Sequence, residues 1–253
     1  MSLYKARGIV LRTHKLGEAD KIITFITASR GKVRAVAKGI RRTKSKFGSR
    51  LEPFSCVDMV LYASRRSLDI VTQAELVRPF REIRENINRL AFGCGMLDLV
   101  DKVSVEGEPD AALFNLLLRG LEAIAQNPSD RNLKLLLAAF DLKLMSITGY
   151  LPKLDACASC GDSSEVLARF SNERGGAICE RCFDAAGYGA PVPAGAIRLA
   201  GQLLRKRLAD VAGMDVDGKV EEEVAQLVAD YVAYHVQAKL RSRECLTQLE
   251  RSI

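Results

Sequence analysis

The sequence predicts an α+β protein of more than one domain: an N-terminal five-stranded barrel, then an α-helical domain carrying an inserted four-cysteine module. Three observations predict it. Short apolar or alternating runs separated by turn signals fill residues 4–78. From about Pro79 the apolar period lengthens to that of a helix. Two Cys-x-x-Cys pairs then stand 18 residues apart between helical segments.

The strands are expected at Gly8–Leu11, Ile22–Thr27, Lys32–Lys38, Phe54–Tyr62 and Leu68–Thr72. Leu16-Gly17, Ser29-Arg30-Gly31, Gly48-Ser49 with Pro53, and Ser64-Arg65-Arg66-Ser67 supply the turns. Five strands in so short a span fit a small closed barrel, and the OB-fold is the first candidate. Residues 1–78 are therefore assigned to the barrel domain and 79–253 to the helical one.

In the helical part, Ile83, Ile87, Leu90, Leu97 and Val100 recur at helical spacing. A second helix spans about Ala111 to Gln126 and stops at Asn127-Pro128. A third has Asp130 as its expected cap, an apolar side of Leu133, Leu136, Leu137, Phe140, Leu144 and Ile147, and Gly149 as its terminator. Two more follow at about Ala194–Val211 and Val220–Leu240. The first five residues lack the apolar core of a secretory signal and no apolar run reaches 18 residues, so a cytoplasmic protein without a membrane partner is expected.

Cys157-Ala158-Ser159-Cys160 and Cys179-Glu180-Arg181-Cys182 have the spacing of a structural zinc site. Each pair on a tight turn aims two thiolates at one point, and Gly161 and Gly175-Gly176 supply the backbone freedom such turns need. Four sulfurs leave no open position for water, so one zinc at about residues 155–185 is expected to be structural. Redox pairing and an iron–sulfur cluster are the competing uses of four thiols. Cys56, Cys94 and Cys245 sit in apolar patterns and read as core thiols.

Charge is distributed unevenly. Residues 1–50 hold 14 Lys or Arg against Glu18 and Asp20, a net +12, whereas the whole chain is +7 and the remainder therefore −5. Such asymmetry points to a polyanion. In strand Lys32–Lys38, period two puts Lys32, Arg34 and Lys38 on one face with Val36, and Val33, Ala35 and Ala37 in the core. The stretch after it adds Arg41, Arg42, Lys44, Lys46 and Arg50 and no acid. These eight cations are the candidate contacts to a nucleic-acid phosphate backbone, with Phe47 as a candidate stacking platform. No base-reading helix accompanies them, so weak sequence preference is expected.

No Gly-x-x-x-x-Gly-Lys-Ser/Thr loop occurs. Gly93-Cys94-Gly95 opens like a dinucleotide fingerprint, but Asp98 stands where the third Gly belongs and the segment reads as helix. His14 and His235 have no nucleophile near them in sequence, and Glu221-Glu222-Glu223 fits the first turn of a helix, where carboxylates favour the dipole. A binding protein rather than an enzyme is expected.

Four stretches together resemble the bacterial RecO family of recombination mediators, over nearly the whole chain. They are Gly8–Glu18 continuing to Ser29–Val33; Ala37–Arg42 with Leu51-Glu52-Pro53-Phe54; Phe140-Asp141-Leu142 through Gly149-Tyr150-Leu151-Pro152 to Cys157–Gly161; and Leu240-Arg241-Ser242-Arg243. Ile40 and Thr43 stand where many members have Ala and Pro, which changes loop stiffness more than charge. The resemblance implies an OB-fold, a helical domain and a zinc module. It also implies binding of single- and double-stranded DNA, annealing, and help in loading RecA onto strands coated by single-strand-binding protein. RecR would be the partner, and the acidic C-terminal tail of the single-strand-binding protein would dock on the helical domain. Arg119, Arg131 and Lys134, set among Leu113, Leu116, Leu117, Leu121, Leu133, Leu136 and Leu137, are the cations that could clamp such a tail. The alternatives are a zinc-containing RNA-binding or scaffolding protein without annealing activity, and an enzyme whose site is too dispersed to see in sequence.

Overall fold

Short apolar or alternating runs between turns favour five strands, and the computed structural model closes them into a barrel. It describes residues 2–64, 68–164, 166–186, 189–238, 240 and 242. Parts of the expected turn at 64–67 and of the 240–243 stretch, and Cys245, lie outside the described residues. The strands are β1 (Leu3–Leu16), β2 (Asp20–Thr27), β3 (Gly31–Ala37), β4 (Cys56–Tyr62) and β5 (Asp69–Arg78), in the closed order β1-β2-β3-β5-β4. All five expected strands are present, but β1 and β5 extend well beyond their apolar runs. β1 serves two neighbours: its first half pairs with β4, and from Gly8 onward it pairs with β2, bending at a bulge between Val10 and Arg12. Gly8 sits at that branching point, where a Cβ would stand 2.8 Å from the Met59 Cε.

The barrel closes through a short seam. β3 and β5 run parallel and pair only at Ala35–Asp69 and Val36–Ile70. The interior holds Val10, Ile23, Phe25, Val33, Ala35, Ala37, Val57, Met59, Leu61 and Val71. Ile40, Phe47 and Leu51, from the segment joining β3 to β4, are buried in the same core. Phe47 is 1% exposed, which corrects the expectation of a stacking platform. Burying an aromatic ring in a small barrel that lacks enough strand residues to fill it outweighs presenting the ring to solvent.

The helical part begins with α1 (Arg81–Arg84) and α2 (Ile87–Val103), separated because Asn86 accepts hydrogen bonds from the Asn88 and Arg89 amides and starts a new helix. Ile87, expected on the apolar face, is consequently exposed, and the buried side of α2 is Met96, Leu97, Leu99 and Val100. Gly93 lies within α2 against the Phe54 ring, where a Cβ would meet Cε1 at 2.8 Å. It is a packing glycine. α3 (Ala111–Ala125) follows. The chain divides into two compact units: residues up to 125 together with Leu240 and Ser242, and residues 126–238. The barrel and α1–α3 thus share the first unit.

The second unit contains α4 (Leu133–Ile147), strands β6 (Leu167–Ser171), β7 (Gly176–Cys179) and β8 (Ala190–Pro191) with α5 (Glu180–Ala186), then α6 (Ala194–Arg205), α7 (Leu208–Val211) and α8 (Gly218–Val236). Asp130 does not cap α4. Asn132 holds the cap position in a left-handed conformation, and its amide group donates to the carbonyls of Val211, Ala212 and Met214 instead of closing its own helix. The other end behaves as expected: Gly149, at φ 88, allows the Tyr150 N–H to reach the Met145 carbonyl and the Gly149 N–H the Ser146 carbonyl. The helix expected over 194–211 breaks at Lys206-Arg207, and α8 ends four residues earlier than expected, at Val236. Asp217 caps α8, so of the three consecutive glutamates only Glu221 lies in its first turn.

Replacing Phe47 by Ala should destabilise the protein by about 3–5 kcal/mol, the usual cost of emptying an aromatic core site. Urea unfolding reads this directly. An unchanged midpoint would place the ring outside the core.

Candidate nucleic-acid interface and metal centre

On β3, burial alternates residue by residue: Val33, Ala35 and Ala37 face inward while Lys32, Arg34 and Val36 lie at the surface. Lys38 follows the strand and is exposed. The segment 39–50 rests on its buried Ile40 and Phe47, which turn its cations outward. Arg41 donates to the Gly17 and Glu18 carbonyls, Lys46 to the Thr72 carbonyl at 2.8 Å, and Arg50 to the Lys46 carbonyl at 2.6 Å. These bonds fix the side chains without neutralising them, because a carbonyl carries no net charge. Arg42, Lys44 and Lys38 are exposed and, among the described residues, make no ion pair.

The two remaining cations of β3 do meet acids. Lys32 donates to the Asp101 carbonyl at 2.6 Å and lies 3.5 Å from its carboxylate, which also accepts from the Arg12 guanidinium at 2.6 Å. Arg34 lies 3.7 Å from Glu106. The acids come from α2 and the segment after it. Neither contact was legible in sequence, since some 70 residues separate the partners. Arg12 and Arg30 also lie on the barrel surface. Arg12 contacts His14, and Arg30 stacks 4.0 Å over the Tyr4 ring. Sequence reasoning passed them over because each stands singly among apolar or turn residues.

The four expected cysteines converge. Their sulfurs all lie within 4.8 Å of one another, and Cys160 and Cys179 are 3.9 Å apart. Sulfurs held at ~2.3 Å from one ion in a tetrahedron lie ~3.8 Å apart, so the donor set fits a four-thiolate metal. Cys157 and Cys160 occupy a tight turn closed by the Gly161 N–H to the Cys157 carbonyl at 2.9 Å, with Gly161 at φ 80. The second pair differs from expectation. Cys179 is the last residue of β7 and Cys182 sits in the first turn of α5, so a strand-to-helix junction takes the place of the second tight turn.

The thiols differ sharply in their readiness to ionise. Burial pushes Cys157 up, but the amides of Cys160, Cys179 and Ser159 outweigh it and bring its pKa down to about 6. Cys182, hydrogen-bonded to Cys160 and partly desolvated, is pushed up to about 12. Four close thiols cannot all carry charge unless a cation joins them. The turn is held onto the β6–β7 hairpin through Ala158 N–H to the Ala177 carbonyl, and Lys153 exchanges hydrogen bonds with Gly175 and Ala177. Gly176 makes that approach feasible: a Cβ there would stand 2.4 Å from the Lys153 carbonyl oxygen. Arg169 stacks 3.4 Å over the Phe183 ring, and Arg181 pairs with Asp162 at 2.9 Å.

The cations expected to clamp an acidic tail are distributed over both units. Arg119 is exposed on α3 in the first, Arg131 is exposed before α4 in the second, and Lys134 on α4 pairs with Glu222 at 2.6 Å. The seven leucines around them are all buried. His235 is packed among the rings of Tyr150, Tyr231 and Tyr234, and desolvation holds its pKa below the usual imidazole value. No helix among the described residues is long and apolar enough to cross a membrane.

Comparison with known proteins decides the family. Residues 1–80 match the model "Recombination protein O N terminal" and residues 84–244 the model "Recombination protein O C terminal". The chain belongs to the RecO family. It is 43% identical over 238 residues to the DNA repair protein RecO of Rubrobacter xylanophilus, covering 93% of each chain. To the RecO of Frankia casuarinae it is 41% identical over 256 aligned positions, covering 100% of each. The RecO of Alkaliphilus metalliredigens is 36% identical over 234 residues. The barrel and the four-cysteine cluster are therefore those of a RecO-family chain.

Gly176→Ala should open the cysteine module. Elemental analysis of wild type should find one metal ion per chain and the variant distinctly less, with Cys157 and Cys179 becoming reactive toward a thiol reagent. Full metal retention with silent thiols would show that the close approach of Lys153 is dispensable.

Proposed function

We propose that this RecO-family chain is a non-catalytic recombination mediator in DNA repair. It binds single- and double-stranded DNA through the barrel, anneals complementary strands, and helps load RecA onto strands coated by single-strand-binding protein, with RecR as partner. One observation carries the reading: the 39–50 segment is anchored by a buried Phe47 while Arg41, Arg42, Lys44, Lys46 and Arg50 point outward and, among the described residues, meet no carboxylate. A rigid, unneutralised basic surface is what a phosphate backbone requires, and annealing asks only that two polyanions be allowed to approach. Lys32, Arg34 and Lys38 complete the proposed interface. The name DNA repair protein RecO on its relatives supports DNA over RNA.

The metal is proposed to be a single zinc on Cys157, Cys160, Cys179 and Cys182. Its chemistry when bound is structural: it would neutralise four converging thiolates and tie the Cys157–Cys160 turn to the β7–α5 junction. The barrel domain at 1–78 and helical domain at 79–253 are proposed as the two functional divisions, in keeping with the residues matched by the two family models. The acidic tail of single-strand-binding protein is proposed to dock on the helical domain, with Arg119, Arg131 and Lys134 as candidate clamps. The cellular site is proposed as the cytoplasm, at the nucleoid.

If about five cations contact phosphates, log affinity for a single strand should fall against log salt with a slope of about −3.5, from about −0.7 per contact. Replacing Arg41, Arg42, Lys44 and Lys46 with Ala should flatten that slope, weaken binding alike for unrelated sequences, and slow annealing of strands coated with single-strand-binding protein. Unchanged affinity and slope would remove the segment from the interface. Tighter binding of matched RNA than of DNA would favour the RNA-binding alternative.

For the tail, titration of a labelled peptide should show weaker binding to Arg131→Glu than to wild type. Equal affinities would take Arg131 out of the site, and no binding by wild type would take out the partner.

A further inference from the structure

We infer that Glu106 is an internal competitor for the proposed DNA face, holding Arg34 until a nucleic-acid backbone displaces it, so that Arg34 is a conditional phosphate contact. This rests on the barrel face being the DNA site.

The backbone puts Glu106 where it is. β5 pairs with β3 only at Ala35 and Val36, which leaves the edge of β3 before them uncovered. The segment between α2 and α3 fills it: the Lys32 N–H donates to the Val105 carbonyl at 3.1 Å, and the Gly107 N–H donates to the Lys32 carbonyl at 3.1 Å. Gly31 permits the approach. It has φ 58, and a Cβ there would stand 1.8 Å from the Glu108 carbonyl oxygen. Glu106, between the two hydrogen-bonded residues, is therefore fixed at its Cα beside the basic face.

The two acids hold their cations differently. Asp101 is 12% exposed in its side chain and bonded directly to Arg12, and Lys32, 14% exposed, is bonded to the same residue's carbonyl. Those contacts fix the Lys32 ammonium in its place on the face. Glu106 is 57% exposed and approaches Arg34 only to 3.7 Å, beyond hydrogen-bond reach, while the buried Arg34 Nε has no hydrogen-bond partner among the described residues. The guanidinium is attracted but not satisfied. The Arg34 side chain keeps 37% exposure, and a phosphate oxygen that reached its accessible N–H donors would form the charge-assisted bonds that the carboxylate leaves unmade. An isolated anion gains little by that exchange, whereas a strand already held at Arg42 and Lys44 brings the phosphate at high local concentration. The competitor thus favours extended polyanions over single phosphates.

The test is single-strand DNA binding by anisotropy across a salt series, with the full chain. Glu106→Gln removes the charge at constant shape. It should bind about two- to fivefold tighter, the worth of an exposed ion pair, with a slope steeper by about 0.7 for one added contact. Glu106→Asp keeps the charge but withdraws it by one methylene, and should also bind tighter. Glu85→Gln removes the same charge from an exposed acid just after α1 that, among the described residues, makes no ion pair with Arg34, and it should change little. In an Arg34→Ala background the gain from Glu106→Gln should vanish. Equal gains from the Glu106 and Glu85 variants, no gain from Glu106→Asp, or a gain surviving Arg34→Ala would each overturn the competitor. Failure of wild type to bind, or indifference to the four-cation replacement, would instead overturn the DNA face itself.

Discussion

The first unit depends on how a five-stranded sheet is closed with too little seam. Two residue pairs join β3 to β5, and a parallel ladder that short contributes only a few hydrogen bonds, each worth about 1 kcal/mol net. Burial has to hold the cylinder shut. Ile40, Phe47 and Leu51 supply it from outside the strands, packing with Phe25 and the strand residues of the core. The segment that closes the barrel is thereby the segment that carries the cations. Its stiffness and its charge are properties of the same residues' neighbours, which explains how an 18-residue connection with no regular structure can present a fixed electrostatic surface.

A different economy governs the cysteine module. Its two ligand pairs lie on different backbone frames, a glycine-closed turn and a strand-to-helix junction, joined by the β6–β7 hairpin. The small apolar cluster of Cys157, Ile178 and Cys179, with Leu167 and Phe183 packed on it, is too small to be a self-sufficient core. Convergence of four thiols is then the main organising contact within the module, while Phe170 reaches the Tyr231 ring of α8 at 5.6 Å and ties the hairpin to the helices of its own unit.

Much of this was legible in the residues. Short apolar or alternating runs between turn signals located every barrel strand, and cysteine spacing located the metal centre, because both signals are local and chemically specific. The core leucines of α3 and α4 were equally plain. What escaped detection depends on tertiary packing. Phe47 stands among eight polar or basic neighbours and looks like a surface ring until the barrel needs filling. Asp130 and Asn132 are both good caps by type, and the choice fell on a residue that caps nothing itself but binds three distant carbonyls. The pairing of Lys32 with Asp101 and of Arg34 with Glu106 bridges two elements whose adjacency no periodicity encodes. Local composition therefore marked which surface is basic, but not which of its cations are already engaged.

The cover that residues 105–107 place over β3 has a consequence for dissecting the molecule. A fragment ending at the last barrel strand would contain all five strands, yet it would leave the Lys32 N–H and C=O on a bare sheet margin. Naked margins recruit strands from other chains. The smallest soluble piece of this protein should then extend past the barrel through α2 to Glu108, so that the unit of expression is longer than the unit suggested by strand counting.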